Sequence, residues 1–229
     1  MYLTEQNQVT DLATEKKSQY NPYMNNMGTV MTLAGKDFVI LCGDKRLSMG
    51  YAILSHDSTK IQQLTDKVFI ASSGMYADVK ALWKNLRARI EIYRSTHKRD
   101  PDLPQIANLL SITLYMRRFF PYYAFNVLAG MKENGEFTCY GYDAVGSFDE
   151  VQYGSQGSGN ELVTPVLDNI MTRKKNEGKD IEVKEAYDLI RECMNGTSCR
   201  DIYTGDKMDI VILHKDGRVD RLEEDLRKD

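Results

Sequence analysis

No apolar run in this 229-residue chain approaches the eighteen or so residues that a bilayer crossing needs, so no transmembrane helix is expected. Cysteine is scarce. Cys42, Cys139, Cys193 and Cys199 include no C-x-x-C pair, which favours reduced thiols over disulfides or a zinc site. Histidine is scarcer still: His56, His97 and His214 are scattered, form no H-E-x-x-H, and read as structural or solvated. No metal or other cofactor is expected. A formal net charge of −3 with 28% charged residues leaves neither sign in large excess, which removes the general electrostatic reason to expect nucleic acid. Residues 1–17 carry Glu5, Asp11 and Glu15 and lack the apolar stretch of a secretory signal.

What is present suits one large domain with a substantial core. Residues 1–27 stand apart in composition. They are rich in Asn, Gln, Thr and Lys, with Asn21-Pro22-Tyr23 and Asn25-Asn26 near their end, and read as a flexible tail. The domain proper is expected over 28–229.

Its first stretch, Gly28 to Leu33, reads as a strand, and Ala34-Gly35-Lys36-Asp37 turns the chain into a fully apolar strand, Phe38 to Cys42. The segment from Gly43 to Lys60 is a connection, with Asp44 and Arg46 placed as a turn-end ion pair. Lys67 to Ala71 is another strand, closed by Ser72-Ser73-Gly74. Two helices follow, with buried stripes at Val79, Leu82, Leu86, Ile90 and Tyr93, then at Ile106, Leu109, Leu110, Thr113 and Leu114. Pro104 suits the first turn of the second. The run Arg117-Arg118-Phe119-Phe120-Pro121-Tyr122-Tyr123 mixes cations with aromatics. Such a run is able to stack bases, but its position at a helix end favours aromatic packing. Strands Ala124–Gly130 and Glu136–Tyr142 are joined by a turn holding Asn134-Gly135. A short strand near Val151-Gln152-Tyr153 leads to the loop Gly154–Gly159, which lacks a Walker lysine and is weak evidence for phosphate. A second helical pair has faces Leu162, Val163, Val166, Leu167, Ile170 and Val183, Ala186, Ile190, Cys193, Met194. A hairpin over Asp209–Leu213 and Arg218–Leu222 ends the chain. The simplest packing is two antiparallel sheets face to face with a helical layer outside each.

At Gly28-Thr29, Gly43-Asp44-Lys45-Arg46, Gly50 and Lys60 the chain resembles the beta subunits of the proteasome. These are N-terminal-nucleophile hydrolases, in which a threonine at the head of the mature chain attacks and an Asp and a Lys tune it. Asp44 and Lys60 lie sixteen and thirty-two residues after Gly28, the spacing that resemblance assigns to the nucleophile, and position 28 has no side chain. Thr29 is the alternative, because Gly28-Thr29 mimics the bond that active subunits cleave in themselves. Neighbouring strand residues face opposite ways, so Thr29 would turn its hydroxyl from Lys60 unless the strand bulged.

The resemblance implies an αββα sandwich, an α+β fold of the N-terminal-nucleophile type, over residues 28–229. It makes Gly28, Asp44, Lys60, Gly74, Ser158, Asp201 and Thr204 an inherited pseudo-site: Gly74 at the oxyanion position, Ser158 in a G-S-G, and Asp201 and Thr204 in Arg200-Asp201-Ile202-Tyr203-Thr204-Gly205. Residues 1–27 become a propeptide that this chain has no means of cutting itself. Implied partners are the other alpha and beta subunits of a 28-subunit stacked-ring particle and the polypeptide substrates of active neighbours, with no nucleic acid and no membrane. The implied compartments are cytoplasm and nucleus. Within the family, the N-x-x-G-T-V run, Leu64-Thr65-Asp66-Lys67, R-R-F-F-P-Y-Y, D-x-V-G-S and Y-T-G-D look closest to the non-catalytic sixth beta subunit, the beta type-6 position. The third position is the runner-up. Two functions stay open: a non-catalytic structural subunit that shapes a neighbouring chymotrypsin-like site, and a threonine peptidase using Thr29. Asp143 is the residue the resemblance places in the neighbour's substrate channel. Read by itself, it fixes a turn.

Overall fold

The computed structural model describes residues 21–227. Of the expected extension 1–27, residues 1–20 lie outside the described residues. The elements in chain order are β1 (Thr29–Ala34), β2 (Phe38–Asp44), β3 (Leu47–Met49), β4 (Ala52–Ser55), β5 (Ile61–Thr65), β6 (Val68–Gly74), α1 (Tyr76–His97) and α2 (Leu103–Tyr115). They continue as β7 (Ala124–Met131), β8 (Phe137–Tyr142), β9 (Phe148–Val151), β10 (Tyr153–Gly157), α3 (Asn160–Glu177), α4 (Val183–Ser198), β11 (Lys207–His214) and β12 (Val219–Asp225).

One sheet runs β10-β1-β2-β11-β12, the other β5-β6-β7-β8-β9, both antiparallel throughout. Alternation along the strands sorts the apolar residues into layers. Val30, Val39, Leu41, Val211 and Leu213 of the first sheet meet Phe69, Ala71, Val127, Ala129 and Cys139 of the second between the sheets. Met31, Leu33, Ile40, Cys42, Ile210 and Ile212 face the other way, onto Val163, Leu167, Ala186, Ile190 and Met194 of α3 and α4. Val68, Ile70 and Leu128 face Leu82, Leu86, Ile90, Leu103, Ile106 and Leu110 of α1 and α2. The result is the four-layer αββα sandwich that the sequence predicts.

Local signals hold the ends in place. Asp102 caps α2 in a reciprocal capping box with Gln105, with Pro104 in the first turn. Gly178 closes α3 at φ +63°, a left-handed conformation that glycine adopts without steric cost.

Four expectations need correction. The connection 43–60 contains a separate hairpin, β3–β4, and residues 61–65 form strand β5. Gly154 to Gly157 lie in strand β10 rather than in a loop, because β1 pairs with them residue for residue. On α3, Leu162 and Val166 are exposed, and Val163, Leu167 and Met171 make the buried row. The aromatics after α2 divide: Tyr122 is buried, whereas Phe119 is 98% exposed.

The outer strand β12 is largely exposed and charged, a pattern that discourages edge pairing. Its Glu223 lies 2.5 Å from both Lys45 and Lys207, and Lys207 first, then Lys45, holds its carboxyl down to about 2. A folded-state pKa below the ordinary carboxylate value of about 4.3 contributes stability that is present above that value. That contribution is lost as pH falls through the folded value. The wild-type melting temperature should therefore drop between about pH 4.3 and about pH 2 more steeply than that of Glu223→Gln. Equal slopes in thermal melts across that window would show that Glu223 contributes nothing.

Candidate functional site

The expected pseudo-site residues converge where β1, β2, β6 and β10 end. β2 delivers Asp44, which is completely buried, and Lys60 stands just ahead of β5 at 3% exposure. The Lys60 ammonium has three donors and three acceptors: Asp44 Oδ1 at 3.1 Å, the Asp44 carbonyl at 2.8 Å and the Arg46 carbonyl at 2.6 Å. Asp44 Oδ1 also accepts from Thr29 N–H at 2.8 Å, and Oδ2 accepts from Arg46 N–H at 3.1 Å. Burial pushes the Asp44 carboxyl upward, and Lys60 and the backbone donors work against it.

The Arg46 guanidinium does not pair with Asp44. It reaches Asp206 at 3.0 Å and the Ile202 carbonyl at 2.9 Å, tying the β2–β3 link to the segment before β11. Burial raises the Asp206 carboxyl, but Arg46 and His56 outweigh it and hold the group below its ordinary value.

Gly28 faces this pair. A Cβ built on Gly28 lies 2.5 Å from Lys60 Cε, 2.6 Å from Asp44 Oδ1 and 2.7 Å from Lys60 Nζ. The register counted along the sequence is therefore the register in space: a side chain at 28 would project onto Lys60 and Asp44. Lys60 occupies the volume that side chain would need.

Thr29 turns the opposite way, with no bulge between it and its β10 partner Gly157. Its side chain is fully buried, accepts from Gly159 N–H at 2.9 Å and shares a 2.7 Å hydrogen bond with Thr204 Oγ1. Thr204 and Ser158 both donate to Asp201 Oδ2, at 2.6 and 2.5 Å. Since Thr204 gives its proton to Asp201 and Gly159 gives one to Thr29, the Thr29 hydroxyl donates to Thr204. Ser158, Asp201, Thr204 and Thr29 thus form one hydrogen-bonded chain. It closes the turn into α3 against the α4–β11 connection and leaves the Thr29 hydroxyl no free proton.

Gly74 ends β6 at φ +118°, where a Cβ would lie 2.4 Å from the Tyr123 carbonyl oxygen, so only glycine fits there. Its own carbonyl accepts from Asn26 N–H at 3.0 Å. Asp143 lies elsewhere, exposed in the turn after β8, where Oδ1 accepts from Val145 N–H at 3.0 Å and Ser147 N–H at 2.8 Å. Two participants escape the sequence reading. Ser73 Oγ donates to the Gly28 carbonyl at 2.9 Å, and Asn26 ties three elements together. The Asn25-Asn26 pair just before a strand was the available signal, because Asn favours caps and turns.

Among the described residues, no group of three or more His, Cys, Asp or Glu is arranged to hold a metal ion. No helix of the described residues is long and apolar enough to cross a membrane.

The family model for "Proteasome subunit" matches residues 24–213. The chain belongs to the proteasome beta-subunit family. It is 46% identical to "Proteasome subunit beta type-1" of Arabidopsis thaliana over 223 residues, covering 94% of this chain and 100% of the relative. It is 44% identical to the protein of that name from Dictyostelium discoideum, covering 87% and 86%. For the Drosophila melanogaster protein the identity is 36%, with 88% of each chain covered. These names overturn the expected beta type-6 designation, which is corrected to beta type-1, and they give no support to the third position either.

Proposed function

We propose that this proteasome beta subunit is non-catalytic, completes the beta rings of a 28-subunit 20S core with other alpha and beta subunits, and acts in protein degradation in the cytoplasm and nucleus. One observation carries the reading. The position that faces Lys60 and Asp44 is a glycine, and the lysine itself fills the space of the missing side chain. The Lys60 ammonium spends its three donors on the Asp44 carboxylate and the Asp44 and Arg46 carbonyls, and the hydroxyl of the adjoining Thr29 is turned away into bonds with Gly159 and Thr204.

Native mass spectrometry and N-terminal sequencing of the chain from its own cells test this reading. The expected result is a subunit within a large hetero-oligomer, with no chain beginning at Thr29 and no labelling by a threonine-directed epoxyketone. A lone monomer, or an epoxyketone adduct on Thr29, would overturn it.

The same reading gives the subunit a share in a neighbouring chymotrypsin-like site through Asp143. The turn there uses Oδ1 as an acceptor of backbone N–H groups, a role that asparagine also fills. Asp143→Asn therefore keeps the turn and removes the charge. Assembled particles carrying it should favour basic residues at the third substrate position less than wild type does, with trypsin-like and caspase-like activities unchanged. An unaltered preference in fully assembled particles would reduce Asp143 to a turn residue.

A further inference from the structure

The pair Asn-Gly occurs twice in the chain, at Asn134-Gly135 and Asn195-Gly196, and neither belongs to the pseudo-site. An asparagine before glycine is open to attack by its own main chain, because no side chain on the second residue shields the nitrogen. The fold treats the two pairs differently. Asn195 lies inside α4, where its Nδ2 donates to the Arg191 carbonyl at 3.0 Å and its Oδ1 accepts from Arg227 N–H at 3.1 Å. Freeing its main chain means unwinding a helix whose adjoining Met194 and Thr197 are buried.

Asn134 stands exposed in the turn between β7 and β8. Two main-chain bonds close that turn, Gly135 N–H to the Lys132 carbonyl at 2.9 Å and Lys132 N–H to the Glu136 carbonyl at 2.8 Å. A hairpin tip of this kind opens at far lower cost than the whole domain. Asn134 Oδ1 accepts from Glu136 N–H at 2.9 Å, and Nδ2 donates to the Glu136 carboxylate at 3.3 Å. A main-chain N–H thus sits on the oxygen that takes up negative charge when Cγ is attacked. A Cβ built on Gly135 would meet nothing within 4 Å, so the space beside it is open to water.

We infer that Asn134 is a site of self-modification, losing its side-chain amide to water through attack by the Gly135 nitrogen, and that the fold spares Asn195. The Gly135 nitrogen bonds to Asn134 Cγ, the Cγ–Nδ2 bond breaks, and the displaced Gly135 proton leaves on the departing ammonia. The cyclic imide then adds a water molecule. Breaking the new bond to Cγ gives aspartate, and breaking the main-chain bond between residues 134 and 135 gives isoaspartate. Water is the one co-reactant, and nothing is oxidised or reduced.

The consequence reaches α2. Glu133 N–H donates at 3.0 Å to Asp102 Oδ1, the oxygen that also takes Leu103 N–H at 2.8 Å where α2 begins. Arg99 holds the Glu133 carboxylate at 2.8 Å. Isoaspartate lengthens the main chain by a methylene inside the closed turn, so the Lys132–Glu136 bond and the Met131–Phe137 pairing lose their fit. Aspartate adds only a charge, beside Glu133 and Glu136.

The test ages the full-length subunit in its native assembly at mildly alkaline pH and maps both asparagines by mass spectrometry after digestion in acid. Asn134 should convert at least roughly tenfold faster than Asn195, whereas a denatured sample should convert both at similar rates. The Asn134 peptide should separate into aspartate and isoaspartate forms, and Asn134→Gln should give neither on the same timescale. In hydrogen–deuterium exchange the amides of Glu133 and Leu103 should quicken in the isoaspartate form. They should keep their protection in freshly prepared Asn134→Asp, which carries the same charge on an unaltered main chain. No conversion at Asn134, equal conversion of the two asparagines in the native assembly, or a tenfold difference that persists in the denatured chain would overturn the inference. Unchanged exchange at Glu133 in the isoaspartate form would overturn its reach to α2.

Discussion

Lys60→Ala should destabilise the subunit by roughly 3–5 kcal/mol at neutral pH, the cost of orphaning a buried charge. Asp44 is fully buried, and Lys60 is the one cation with its ammonium on the Asp44 carboxylate among the described residues. Removing it also leaves the Asp44 and Arg46 carbonyls without their donor. The sign of the pH dependence identifies the cause. Burial already raises the Asp44 carboxyl, and without Lys60 only the backbone donors, Thr29 N–H foremost, are left to oppose it. A carboxyl whose folded-state pKa exceeds its unfolded value penalises folding once it ionises. The deficit of Lys60→Ala should therefore be greatest above that raised pKa and shrink as pH falls through it. Unfolding can be followed by the fluorescence of Trp83, the one tryptophan of the chain, which is buried in α1. The double variant Asp44→Asn/Lys60→Met, which removes the charge with its partner, should be more stable than Lys60→Ala alone. A double variant no more stable than the single one would mean that lost packing, not an unpaired carboxylate, is responsible.

The same physics explains what was legible in the sequence. Spacing along a regular strand translates directly into position, so the alignment of Asp44 and Lys60 with residue 28, and the opposite facing of Thr29, follow from periodicity together with the family spacing. The four layers follow similarly from Val30, Val39 and Leu41 alternating with Met31, Ile40 and Cys42. The β3–β4 hairpin does not, because Met49, Tyr51, Ile53 and Leu54 are exposed and no buried face fixes their pattern. Leu162–Val166 and Val163–Leu167 are adjacent i,i+4 rows, and periodicity alone cannot say which meets the sheet. Arg46 lies two residues from Asp44 and pairs with Asp206 instead, a long-range choice that local spacing does not carry. Asn26 was hidden for a related reason. Its partners Ser48, Gly74 and Tyr76 come together only when β3, β6 and α1 are in place.

Gly28→Thr should set a threonine facing Lys60 and Asp44 and still yield no peptidase. The new Cβ would lie 2.5 Å from Lys60 Cε and 2.6 Å from Asp44 Oδ1, so Lys60 has to leave its three acceptors before the threonine fits. Overpacking of that kind costs about 1–3 kcal/mol. Gly28 also sits at φ +92°, which adds a backbone cost on the order of 1–3 kcal/mol for a residue with a side chain. A threonine nucleophile further needs its own free amine as base, whereas residue 28 is joined to Met27 and its carbonyl is held by Ser73 and Ser158. The variant should therefore unfold at lower denaturant than wild type and take no adduct from a threonine-directed epoxyketone. Gly28→Ala separates these two costs from any effect of the hydroxyl. It carries the same Cβ at the same φ, so it should lose most of the same stability if crowding and backbone strain are the cause. Epoxyketone labelling at position 28 of the threonine variant would mean instead that Lys60 and Asp44 remain a working catalytic frame, idle only for want of a hydroxyl.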